Sequence, residues 1–164
     1  MGSRIESDIH VNGHLTCKTA SLPSGTITNA MVNGSAGLAA SKLQHQYSKT
    51  YSQEGDTASA ADERNVHVVY GATGTVLAFE AGSVTLCTSD AAITVDLHKN
   101  GVSILTAPIV LDSGNTAYTP EAATIDTAAV VDGAVLAVVV TVAAGGGALG
   151  KGVFASLVLT EDAA

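Results

Sequence analysis

Tryptophan is absent from this 164-residue chain, aromatic residues make up 4% of it, and it holds only two cysteines and three prolines. A core must therefore be assembled from Val, Ile, Leu and Ala, a choice that favours strands over helices. Cys17 and Cys87 lie far apart and in no spaced arrangement, so they read as buried free thiols, without a disulfide framework or a metal motif. Long apolar runs are missing too. The longest, residues 134–144, is well short of the roughly 20 residues that a membrane helix needs, and its valines mark it as a buried strand. No apolar stretch follows Met1, which excludes a signal peptide from the reading, and Glu6 stands where a myristoylation motif wants Ser or Thr. The chain reads as soluble and made in a cytoplasm.

Positive charge is scarce and unevenly opposed. Residues 1–60 carry four Lys or Arg against four Asp or Glu, whereas residues 61–164 carry three against eleven and so hold the whole net charge of -8. An acidic C-terminal part repels phosphate backbones and anionic lipid, which argues against nucleic acid and membrane as partners.

With 46% hydrophobic and 13% charged residues, the composition suits one compact domain plus an appendage. Asn12-Gly13 between 8–11 and 14–17 is a hairpin signal, since both turn positions need positive φ. Ser35 can cap a short helix over 36–45, and a helix of about ten residues needs a partner surface, because isolated helices of that length are marginal in water. Ile27, Met31, Val32, Leu38 and Leu43 are the candidate interface residues of this part. Residues 48–63, rich in Ser, Thr, Ala and Gln, read as a linker. From Asn65 on, short β-rich runs alternate with turns: 66–70, 75–80, 83–88, 93–98, 102–111, 117–119, 134–143 and 152–160. About eight strands without a long helix predict a mainly β chain, an antiparallel jelly-roll-like β-sandwich over 61–164, preceded by an extended segment over 1–60 with the hairpin and short helix. Residues 135–142 are apolar on both faces except Thr141, which predicts a central strand covered by the opposing sheet and, on its other side, by the N-terminal segment or a neighbouring subunit.

The motifs with chemical potential lose to plainer readings. Gly145, Gly147 and Gly150 fit a GxGxxG spacing and Lys151 extends it towards a Walker A loop, but a phosphate cradle must open a helix. Here Val153-Phe154-Ala155-Ser156-Leu157 follows, which is a strand, so the loop reads as a flexible connection. His10 and His14 flank a turn and point to different faces. A metal held by three copies of His45 on a threefold axis is the sharper alternative to surface histidines. Glu80, Asp90, Asp96 and Asp112 are the carboxylates available for sugar hydrolysis, but the shortage of aromatic rings leaves little to stack a sugar on. No GxSxG occurs, and no catalytic residue, cofactor site or metal site is assigned.

Gly25-Thr26-Ile27-Thr28-Asn29-Ala30-Met31-Val32, followed by Ala36-Gly37-Leu38-Ala39-Ala40-Ser41-Lys42-Leu43, resembles phrasing common in tailed-bacteriophage fibre, spike and head-decoration proteins. Val11-Asn12-Gly13-His14-Leu15 is similar to their V-N-G-x-L steps. Val131-Asp132-Gly133-Ala134 and Gly150-Lys151-Gly152-Val153-Phe154 resemble strands of phage jelly-roll modules, with Ala134 standing where an acid often follows the glycine. The resemblance implies a non-enzymatic virion structural protein, a homotrimer that docks on capsid or tail proteins through its N-terminal part and turns its β module outward. The alternative is a carbohydrate or receptor-binding adhesin module, and a jelly-roll enzyme is a third.

Overall fold

Alternation builds the strands. In β4 (Ala92–Lys99) Ile93, Val95 and Leu97 are fully buried, while Thr94, Asp96 and His98 between them are half-buried on the opposite face. That is the period-2 pattern of a sheet with one face on a core. The structure, a computed structural model, describes residues 44–71 and 73–162. Among them there is no helix, and every strand pairing is antiparallel.

Two sheets result. In the first, β1 (Gln44–Ser52), β10 (Lys151–Asp162) and β3 (Thr73–Thr85) follow one another, and the short β7 (Glu121–Ala122) and β8 (Ala129–Val131) pair with the far side of β3. In the second, β2 (Asp62–Val68), β9 (Val135–Ala143) and β4 follow one another, and β5 (Val102–Ser103) and β6 (Ile109–Leu111) pair with the far side of β4. The chain crosses from one sheet to the other at six of the nine connections between these strands. The inner faces share one aliphatic core, with Phe79, Ile93, Leu97, Leu136, Leu157 and Leu159 almost completely buried.

The fold corrects several expectations. The stretch read as a linker holds the end of β1 and the start of β2, and the sandwich begins at Gln44, inside the segment assigned to attachment. Gln44 and His45, expected at the end of a helix, open β1; the rest of that helix lies outside the described residues. The turn expected at Ala81-Gly82 is the middle of the single long β3. Gly82 is there for space: a Cβ on it would sit 2.6 Å from the ring of Phe154 on the neighbouring strand. Residues 102–111 divide into β5 and β6, and 117–119 are a loop, with β7 following at 121–122. β9 is central as expected, between β2 and β4. On its outer face Ala137, opposite His98 of β4 and Asn65 of β2 in the ladder, is 4% exposed; the N-terminal segment expected to cover that face lies outside the described residues. The hairpin around Asn12-Gly13, His10, His14, Cys17 and the interface candidates Ile27, Met31, Val32, Leu38 and Leu43 all lie outside the described residues.

Candidate functional site

The edge strands β1 and β2 belong to different sheets and meet along one seam of the sandwich. In β1 the residues alternate strictly: Gln46, Ser48, Thr50 and Ser52 are exposed, while His45, Tyr47 and Lys49 are half-buried and Tyr51 is buried. The inward set is thus aromatic and basic, unlike the aliphatic buried faces of β4, β9 and β10, and it meets a polar set on β2.

At one end of the seam the Tyr51 hydroxyl donates to Asp62 Oδ2 at 2.8 Å and accepts from Gln53 Nε2 at 2.8 Å. Arg64 bonds the same Asp62 oxygen at 3.1 Å and stands 5.2 Å from the Tyr51 ring centroid, in cation–π range. Burial, with the Asp62 carboxylate next, raises the pKa of Tyr51 above its ordinary value of 10.0, because both disfavour a phenolate.

At the other end the ring of Tyr47 lies between two imidazoles, 6.4 Å from His45 and 5.8 Å from His67. His67 Nε2 is hydrogen-bonded to Glu161 Oε1, and their side chains are 10% and 7% exposed. Glu161 lies directly across from His45 on β1 and from Gly74 on β3, and the glycine leaves room for the Thr160 carbonyl oxygen, 2.4 Å from where a Cβ would sit. Lys49 stands 5.5 Å from the Tyr47 ring centroid. Tyr47, Lys49, Asn65, Val66, His67, Val68, Tyr70 and Glu161 line an open groove of about 460 Å³, a size within the range of small-molecule sites. A bulge between Asn65 and His67 interrupts the β2–β9 ladder beside it, and bulges commonly re-aim side chains at such places.

The chain has four tyrosines. Three of them, Tyr47, Tyr51 and Tyr70, flank this seam. A count of aromatic rings over the whole chain is too low to suggest a sugar site, and it hides their concentration in one place. The signal is present in Tyr47-Ser48-Lys49-Thr50-Tyr51, an alternation of ring or cation with small hydroxyl residues, which a low-complexity reading of 48–63 obscures.

The residues singled out from the sequence are dispersed. Asp90 accepts from the Gly146 amide at 2.6 Å, Asp96 holds Ser103 at 2.8 Å and His98 at 3.2 Å, Asp112 accepts from the Gly114 amide at 2.7 Å, and Glu80 lies in mid-β3. None is bonded to another. Among the described residues no group of three or more His, Cys, Asp or Glu is placed to hold a metal ion, and no helix there is long and apolar enough to cross a membrane. Cys87 is a buried free thiol whose sulfur accepts from the Gly150 amide at 3.2 Å. The glycine loop opens β10, and its amides are already engaged: Gly146 on Asp90, Gly147 on Ala144 O at 2.9 Å and Ala148 on Thr88 Oγ1 at 2.9 Å. It is a fastened loop and not the flexible one expected.

No family model matches this sequence, and no curated protein matches it. Among solved structures, a chain in the structure of infectious bursal disease virus Gt strain aligns at 14% identity with a TM-score of 0.25. The alignment covers 74% of this chain and 38% of that one.

Proposed function

We propose that this chain is a non-enzymatic structural component of a phage particle, a decoration or fibre-type protein that attaches through its N-terminal segment and displays the sandwich. The observation that carries the reading is the strand order. β1-β10-β3 with β7 and β8 facing β2-β9-β4 with β5 and β6 supports reading the sandwich as a double Greek key, the jelly roll found in viral capsid domains as well as in lectins and cupins. Such a module presents connecting loops at its ends and leaves two sheet faces for neighbours, which suits a displayed building block. The phage-like phrasing of residues 25–43 and 11–15 supports the particle assignment from the sequence side. Since β1 starts at Gln44, attachment falls to residues 1–43, and the partners are capsid or tail proteins. Exposed Leu77, Val102, Val110 and Val131 offer apolar surface for the copies of a homotrimer.

Two measurements test this. A protein inventory of purified particles should contain the chain, and a chain lacking residues 1–43 should fold yet fail to join them. Incorporation of the truncated chain overturns the docking assignment, and a full-length chain that stays monomeric by light scattering at every concentration overturns the trimer.

A further inference from the structure

We propose that the groove between β1 and β2 is a glycan-binding site that holds one neutral pyranose ring. This takes the binding-module reading of the sequence to named residues, and it stands whether or not the chain is a particle component.

Three observations carry it. First, a chain with 4% aromatic residues places two of its four tyrosines on the wall of one groove, and one of them, Tyr70, is 76% exposed. An exposed ring at the mouth of a polar groove offers an apolar face with a hydroxyl at its tip, which matches the C–H face and hydroxyl rim of a pyranose. Second, the groove wall includes a buried, fixed acceptor. Glu161 is 5% exposed, and its Oε1 is tied to His67 Nε2. The carboxylate is thus held in place on the groove wall as an acceptor for a sugar hydroxyl. Third, the remaining polar groups complement it: Lys49 supplies a donor, and the Asn65 amide supplies a donor and an acceptor. Donors and acceptors spaced around a ring platform suit a vicinal diol, and a groove of about 460 Å³ has room for one ring with its substituents.

The charge of the surroundings selects the ligand class. The groove wall itself carries one carboxylate, Glu161, and one ammonium, Lys49, which offset each other, while residues 61–164 hold eleven Asp or Glu against three Lys or Arg. With no net positive charge in the groove, an anionic sugar would enter against the surrounding field, so the site takes neutral sugars.

Saturation-transfer NMR on the full-length protein tests the assignment, with methyl glycosides of glucose, galactose, mannose and N-acetylglucosamine as neutral probes and galacturonate as the acidic one. At least one neutral glycoside should receive saturation, and galacturonate should receive less. Tyr70→Ala should weaken the bound sugar about 5- to 10-fold, and Asn65→Ala should weaken it as well. Both side chains are exposed, so the melting temperature should stay at the wild-type value and binding loss will not reflect unfolding. Tyr118→Ala removes a ring that is 70% exposed but lies outside the groove, and should leave binding unchanged. The proposal is overturned if no neutral glycoside binds, if galacturonate binds better than all of them, or if Tyr118→Ala weakens binding as much as Tyr70→Ala does.

Discussion

Two glycine-bearing connections, at 100–101 and at 144–150, look alike in sequence and use glycine for opposite reasons. Asn100-Gly101 joins β4 to β5 as a two-residue turn, with Lys99 opposite Val102 and φ of 51° and 80° at its two positions. A side chain at Gly101 would meet nothing within 4 Å, so only the backbone angle asks for glycine. At Gly147 the demand is for space. A Cβ there would stand 1.8 Å from the carbonyl oxygen of Thr88 and 2.8 Å from its carbon, and backbone cannot swing aside as the tip of a side chain can. One glycine serves conformation and the other serves contact.

Gly147→Ala should have the largest effect, a loss of about 3 kcal/mol or more from overpacking against fixed backbone, read from urea unfolding. A loss under about 1 kcal/mol would show that the loop lifts off Thr88 easily, and the contrast would collapse. Gly101→Val should cost about 2 kcal/mol, because a β-branched residue resists positive φ even in open space; Gly101→Asn should recover most of that, and an equal penalty for both would indicate a steric cause. Asp90→Ala tests the fastening itself. It removes the acceptor of the Gly146 amide, and water can replace it at that exposed position, so about 1 kcal/mol should be lost, with faster hydrogen exchange at Gly146. Gly55→Ala is the baseline. Gly55 has no positive φ, and a Cβ added to it would meet no atom within 4 Å. The substitution should change stability by under about 1 kcal/mol, in the stabilising direction, by restricting the unfolded chain.

The same contrast explains what the sequence makes legible. The Asn100-Gly101 turn is legible because conformation is a local property of two residues. The Gly147 contact is not, because Thr88 lies 59 positions earlier and only the fold brings its carbonyl there. The aliphatic strands, β4 with its alternation and β9 and β10 with their apolar runs, are legible for the first reason. β1 escapes notice because its inward residues are His45, Tyr47, Lys49 and Tyr51, which count as polar or aromatic in a pattern search for aliphatic faces, and its outward residues resemble a linker. The division of 102–111 into β5 and β6 is hidden as well: Ile104 and Leu105 are buried in the turn between them and continue the apolar texture of a strand. The groove at the seam is illegible for the same reason as the Gly147 contact. Tyr47, His67 and Glu161 come from β1, β2 and β10, and no spacing within the chain relates them.

The ladder between β1 and β10 has a consequence in time. Its nine pairs run from Gln44 opposite Asp162 to Ser52 opposite Phe154, so among the described residues the first strand pairs only with the last. During synthesis β1 emerges about a hundred residues before its partner and must wait, its aromatic face without a sheet, until β10 has left the ribosome. Pairings this distant in sequence make folding slow, on the order of milliseconds to seconds, and leave the nascent chain open to wrong strand partners. The hydroxyl-rich outer residues of β1, Ser48, Thr50 and Ser52, are well suited to that wait, since they keep the unpaired strand hydrated and give a stray neighbour little to hold.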